Sequence, residues 1–126
     1  MKDYEFGSMN WDADIEMILQ SFVQDFSEIL EGTDYYVVRN GTVGEKCVNI
    51  MKKGESNRVG HVWPKRKMQV VDFCLMTDLI QKISSMMELP ALQDPNKERL
   101  KQWRCFPRIS YDKAIEMISA IAGKNL

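Results

Sequence analysis

The chain has 126 residues, 44% hydrophobic and 28% charged, the size and make-up of one globular domain able to bury a core without staples. No apolar run reaches the roughly 18 residues of a membrane span, and the acidic N-terminus lacks the apolar stretch of a secretory signal, so a membrane partner is not expected. The formal net charge of −1 conceals a sharp split: residues 1–34 hold nine acids and one base (−8), and residues 35–126 hold the other nine acids and sixteen bases (+7). Such opposed electrical faces point to partners or self-association.

Glu5-Phe6-Gly7-Ser8, directly before Met9, matches what two adjacent cloning sites encode. Residues 1–8 therefore read as an appended leader, leaving 9–126 as a single α+β domain. The first predicted helix runs from about Asp12 to Glu31, with Ile15, Ile18, Leu19, Phe22, Val23, Phe26, Ile29 and Leu30 on one stripe. Asp12 is the expected N-cap and Gly32 the expected terminator. Strands follow at Asp34–Arg39 and Lys46–Met51, with Asn40-Gly41 as a turn signal and Gly44 as a bulge candidate. Arg58–Trp63 and Lys67–Phe73 read as the third and fourth strands, joined through Pro64-Lys65-Arg66. His61 and Trp63 share a face with Val59, and His61 is expected to point inward.

A second helix is predicted from Thr77 to Leu89, stopped by Pro90, with Met76, Leu79, Ile80, Ile83, Met86 and Met87 inward. Asp94-Pro95 opens a short helix to about Trp103. Cys105–Ile109 reads as an edge strand, because Pro107 cannot donate to a ladder. Ser110 caps a last helix carrying Tyr111, Ala114, Ile115, Ile118, Ile121 and Ala122, ended by Gly123. The sum is a twisted antiparallel sheet of four or five strands, covered on one face by the N-terminal and C-terminal helices.

Two basic clusters stand out. Lys52, Lys53, Arg58, Lys65, Arg66 and Lys67 give residues 52–67 a local +5 against Glu55, with His61 and Trp63 interleaved. Lysines and arginines at hairpin turns neutralise phosphates, and Trp63 offers a stacking surface, so weak, sequence-tolerant nucleic-acid contact is the first functional reading. Lys97, Arg99, Lys101, Arg104, Arg108 and Lys113, around Trp103, form a second cluster that would enlarge this patch if the two fold side by side. The alternative is a protein–protein or homodimer module, in which the acidic helix of one subunit meets the basic hairpin of another. A third reading is a small-molecule pocket between sheet and helices near His61, Trp63 and Tyr35. Met76, Met86, Met87 and Met117 add an adaptable binding surface or, at their helical spacing, simply core.

Enzymatic constellations are missing. A single histidine cannot build a histidine metal cage. Cys47, Cys74 and Cys105 are odd in number, widely spaced and without a C-x-x-C pair. They argue against a disulfide framework and for a reducing cytoplasm, with neither zinc nor redox chemistry. Glu45-Lys46 lacks the residue a restriction-type nuclease needs between its Glu and Lys, and Glu98-Arg99-Leu100 has Leu in place of Lys. No phosphate loop or dinucleotide fingerprint occurs. The expectation is a non-enzymatic module with no cofactor and no metal.

Three segments carry a likeness: Tyr35–Arg39 leading to Cys47–Met51, Pro64–Lys67 entering Met68–Phe73, and Arg108-Ile109-Ser110-Tyr111-Asp112-Lys113-Ala114-Ile115-Glu116-Met117-Ile118. With them the chain resembles small cytosolic domains of unknown function found alone or fused to restriction-type nucleases and predicted transport proteins. It also resembles orphan proteins of mobile bacterial gene cassettes. The resemblance implies an α+β fold and a nucleic-acid context, and carries no active site.

Overall fold

A computed structural model describes residues 9–91 and 102–124. Helix α1 (Ile15–Leu30) leads into strands β1 (Tyr35–Arg39), β2 (Val48–Lys52), β3 (Gly60–Lys65) and β4 (Val70–Met76). Helix α2 (Thr77–Ser84), strand β5 (Trp103–Ile109) and helix α3 (Tyr111–Ile121) follow. The five strands form one antiparallel sheet in the order β1-β2-β3-β4-β5, so β1 and β5 are its edges. This is the α+β architecture expected from the sequence.

Strand alternation sorts the residues. Val37, Val48, Ile50, Val62, Val71, Phe73, Leu75 and Phe106 point to one face and are buried against Phe22, Phe26, Ile83, Ile115 and Ile118 of the helices. Phe22 stacks on Tyr111 at 5.2 Å between ring centroids, and the Tyr111 hydroxyl donates to Asp25 at 2.6 Å, tying α1 to α3. Burial pushes the Asp25 carboxyl above its ordinary range and the Tyr111 phenol well above its own. The other sheet face carries Tyr36, Val38, Asn49, Met51, His61, Trp63, Cys74 and Cys105, and among the described residues no helix covers it.

Several local expectations are corrected. The cap of α1 is Asp14, which accepts from the Met17 N–H at 2.9 Å; the Asp12 N–H instead donates to Asn10. Asn40-Gly41 does not close a two-residue hairpin. Asn40 Oδ1 accepts from the Thr42 N–H at 2.8 Å in a longer loop, and the left-handed residue there is Gly44 (φ 86°) rather than Gly41. β3 runs through Pro64 to Lys65, so its hairpin turn lies at 66–69. Helix α2 ends at Ser84, well before Pro90. The hydroxyls of Ser84 and Ser85 donate to the carbonyls of Gln81 and Lys82, competing with continuation of the helix. Trp103 belongs to β5, not to a helix; the rest of the predicted helix from Asp94, and residues 1–8, lie outside the described residues. Cys74 and Cys105 form a disulfide, contrary to the expectation from cysteine spacing. They meet because the meander folds β5 back onto β4 in a register that sets the two residues opposite each other.

β5 departs from a regular edge. Val71 pairs with Ile109 but Phe73 with Phe106, so β5 carries one extra residue at Pro107–Arg108. Arg108 takes a left-handed backbone (φ 52°), and its N–H donates to Asp72 Oδ1 at 2.9 Å instead of to a strand carbonyl.

Candidate functional site on the helix-free sheet face

Asn49, His61, Cys74 and Cys105 lie side by side across β2, β3, β4 and β5, one residue from each strand. Arg58, just before β3, swings over this row. Its guanidinium donates to Asn49 Oδ1 at 3.2 Å and sits 5.9 Å from the ring centroid of Trp103, a cation–π arrangement. The His61 ring is 5.4 Å from Trp103. Arg58, His61 and Trp103 line a cleft of about 560 Å³, with Asn57, the disulfide, Met76 and Gln102 completing it. That volume falls within the usual range for small-ligand sites.

The state of His61 follows from its neighbours. Trp63, two residues along the same face, donates its indole N–H to His61 Nδ1, which leaves the proton of a neutral imidazole on Nε2. Burial, and then the positive charge of Arg58, lower the His61 pKa to about 4. At neutral pH His61 is therefore an uncharged N–H donor beside a permanent cation. No group of three potential metal ligands occurs among the described residues.

The two basic turns do not merge. Lys52 and Lys53 lie where β2 ends, and Lys65, Arg66 and Lys67 where β3 ends. The six residues of β3 hold these turns about 20 Å apart. Lys52 pairs with Glu55 at 3.8 Å, Lys65 with Asp72 at 3.6 Å, and Arg66 donates to the Ala13 carbonyl at 2.6 Å. Lys67 is exposed in the turn. Of the second cluster, Arg104, Arg108 and Lys113 are described; Lys113 pairs with Glu116 at 3.0 Å.

The acidic helix also faces its own chain. Glu16 accepts from Arg39 and Lys46, which keep its carboxyl below the usual range. Tyr35 faces the helices, with the Lys82 ammonium 5.0 Å from its ring, far from the cleft that holds His61. The pocket thus opens on the face opposite to the one expected, and His61 points away from the core. The sequence places Trp103 only in the second basic cluster and Cys74 and Cys105 among unbridged cysteines; an arginine and a tryptophan flanking strands that lie near one another were the available signal for a cleft at Trp103. Comparison with protein-family models, curated proteins and solved structures yields no match, so the site rests on its own geometry.

Proposed function

We propose that the protein is a non-enzymatic binding module whose ligand is a small organic anion with a planar ring, held in the cleft of the helix-free sheet face. The observation that carries this reading is the placement of Arg58 over Trp103 beside the neutral His61: a cation, an aromatic plane and an N–H donor converge on one cavity. An anion fits the guanidinium, and a ring fits against the indole.

The other readings have weaker support. Nucleic-acid contact through Lys52, Lys53, Arg58, Lys65, Arg66, Lys67 and Trp63 would need turns that stand at opposite ends of β3 to act as one patch. Assembly through the acidic helix would have to compete with Arg39 and Lys46, which already hold Glu16. No helix among the described residues is long and apolar enough to cross a membrane. A cytoplasmic setting fits this module if the disulfide cycles there; the cysteine spacing no longer argues for it.

The test is thermal shift and calorimetric titration with indole-3-acetate and with adenosine monophosphate as probes. Saturable binding that weakens at least about tenfold in both Arg58→Gln and Trp103→Leu is expected, a loss of roughly 1.4 kcal/mol. Binding untouched by either change would place the ligand elsewhere, and no binding of either probe would remove the reading.

A further inference from the structure

We propose that the Cys74–Cys105 disulfide is a thiol-exchange site for low-molecular-weight thiols that carry a carboxylate, with Arg58 recruiting the carboxylate. Its position sets it apart from a core staple. The two cysteines are facing residues of neighbouring strands, 4.0 Å apart at Cα, on the sheet face away from the hydrophobic core. The bond lines a cleft that also contains Arg58 and His61. Cys74 is 5% exposed, whereas Cys105 is half-buried on the edge strand, so Cys105 is the sulfur an incoming thiolate meets. Opening the bond does not require β5 to leave the sheet, because strand pairing flanks it on both sides, from Met76–Trp103 to Val71–Ile109.

The steps balance. A thiolate RS⁻ attacks Cys105 Sγ, forming an RS–Cys105 bond as the Cys74–Cys105 bond breaks, and the electron pair leaves on Cys74 Sγ. His61 is the strand partner directly opposite Cys74 and lines the same cleft, so its uncharged ring stands on the side where that thiolate forms. A second thiolate attacks the R-side sulfur, releasing RSSR and the Cys105 thiolate. The small thiol is oxidised, the protein disulfide is reduced, and solvent supplies the two protons. Arg58 favours anionic over neutral thiols by raising their local concentration.

The inference shares its cleft with the proposed ligand site, and the two fail separately. Protein purified without reductant is treated with 3-mercaptopropionate or with 2-mercaptoethanol, quenched by alkylation and mapped by mass spectrometry. The expected result is an adduct on Cys105 alone, formed about tenfold faster per thiolate with the anionic thiol. Arg58→Gln should erase that preference and Arg58→Lys should keep it, while buried Cys47 stays unmodified as the marker of an intact fold. Equal rates for the two thiols, an adduct on Cys74, reaction only after denaturation, or three free thiols in the starting protein would each overturn the proposal. Binding of indole-3-acetate without thiol discrimination would remove this inference and leave the ligand reading standing; the reverse result would remove only the ligand reading.

Discussion

His61 owes its chemistry to two residues near it in sequence. Trp63 fixes which nitrogen carries the proton, and burial, seconded by Arg58, opposes a second one. The consequence for stability has a definite sign. The folded pKa of about 4 lies below the ordinary 6.5, so the folded state takes up the proton less readily than the unfolded chain. The contribution is complete above pH 6.5 and is lost as the pH falls toward 4. Between pH 7 and pH 5 the loss from this residue should be roughly 1 to 2 kcal/mol, after allowing for its partial exposure. Urea midpoints at the two pH values, compared with those of His61→Phe, check this; a variant with the same pH dependence as the parent would contradict it. The alternation of polar and apolar residues along β3 was visible in the sequence, but its direction was not. Val59, His61 and Trp63 make one apolar-looking set, but within β3 it is Gly60 and Val62 that face the core, and Val59, just before the strand, is buried as well while His61 and Trp63 are not.

At the scale of the elements, Gly60 shows how closely β3 is fitted to its neighbours. A Cβ there would lie 2.7 Å from Leu75 Cδ2, 3.0 Å from Ile50 Cδ1 and 3.1 Å from the Cys74 carbonyl oxygen. The two side chains can give a little; the backbone oxygen cannot move without disturbing the β3–β4 ladder. Gly60→Ala should therefore cost about 1 to 3 kcal/mol, read as a lower urea midpoint at unchanged slope. An unchanged midpoint would mean that the strand shifts freely. Helix stripes and strand order were legible because periodicity reports which side of an element is apolar, and α1 and α3 appear close to where it placed them. Ends were less legible. Asp12 and Asp14 are both capping residue types two positions apart, and only the backbone decides that Asp14 caps α1. The serines that end α2 look like ordinary helix residues in a sequence. The cleft was the least legible part, because it depends on long-range register: Cys74 and Cys105 are separated by 31 positions, and Arg58 approaches Trp103 across three strands.

Across the whole molecule, the charge split that dominates the sequence is partly spent within the fold. Glu16 holds Arg39 and Lys46, and Arg66 reaches back to the start of α1, so the acidic segment and one basic turn occupy the same end of the sheet. With the other basic turn about 20 Å away, few phosphates can be neutralised together. Anisotropy with labelled single-stranded DNA at about 50 and 200 mM salt should give weak binding with a shallow salt dependence, and Lys65→Ala, Arg66→Ala and Lys67→Ala combined should barely alter the slope. A fall of several orders of magnitude over that range, removed by the triple change, would restore the nucleic-acid reading.

The Lys124 ammonium has an implication for how the chain acquires this shape. It donates to the carbonyls of Ile29 at 2.7 Å and Glu31 at 3.3 Å, at the end of a helix whose last turn has no basic residue. The end of α1 is thus completed by a residue synthesised 93 positions after Glu31. The strands can pair in order as they leave the ribosome, each with the one before it. β1 and β2 can cover part of the α1 stripe early, but Phe22 and Phe26 stack on Tyr111 of α3, so that aromatic cluster stays incomplete until nearly all of residues 9–124 have emerged.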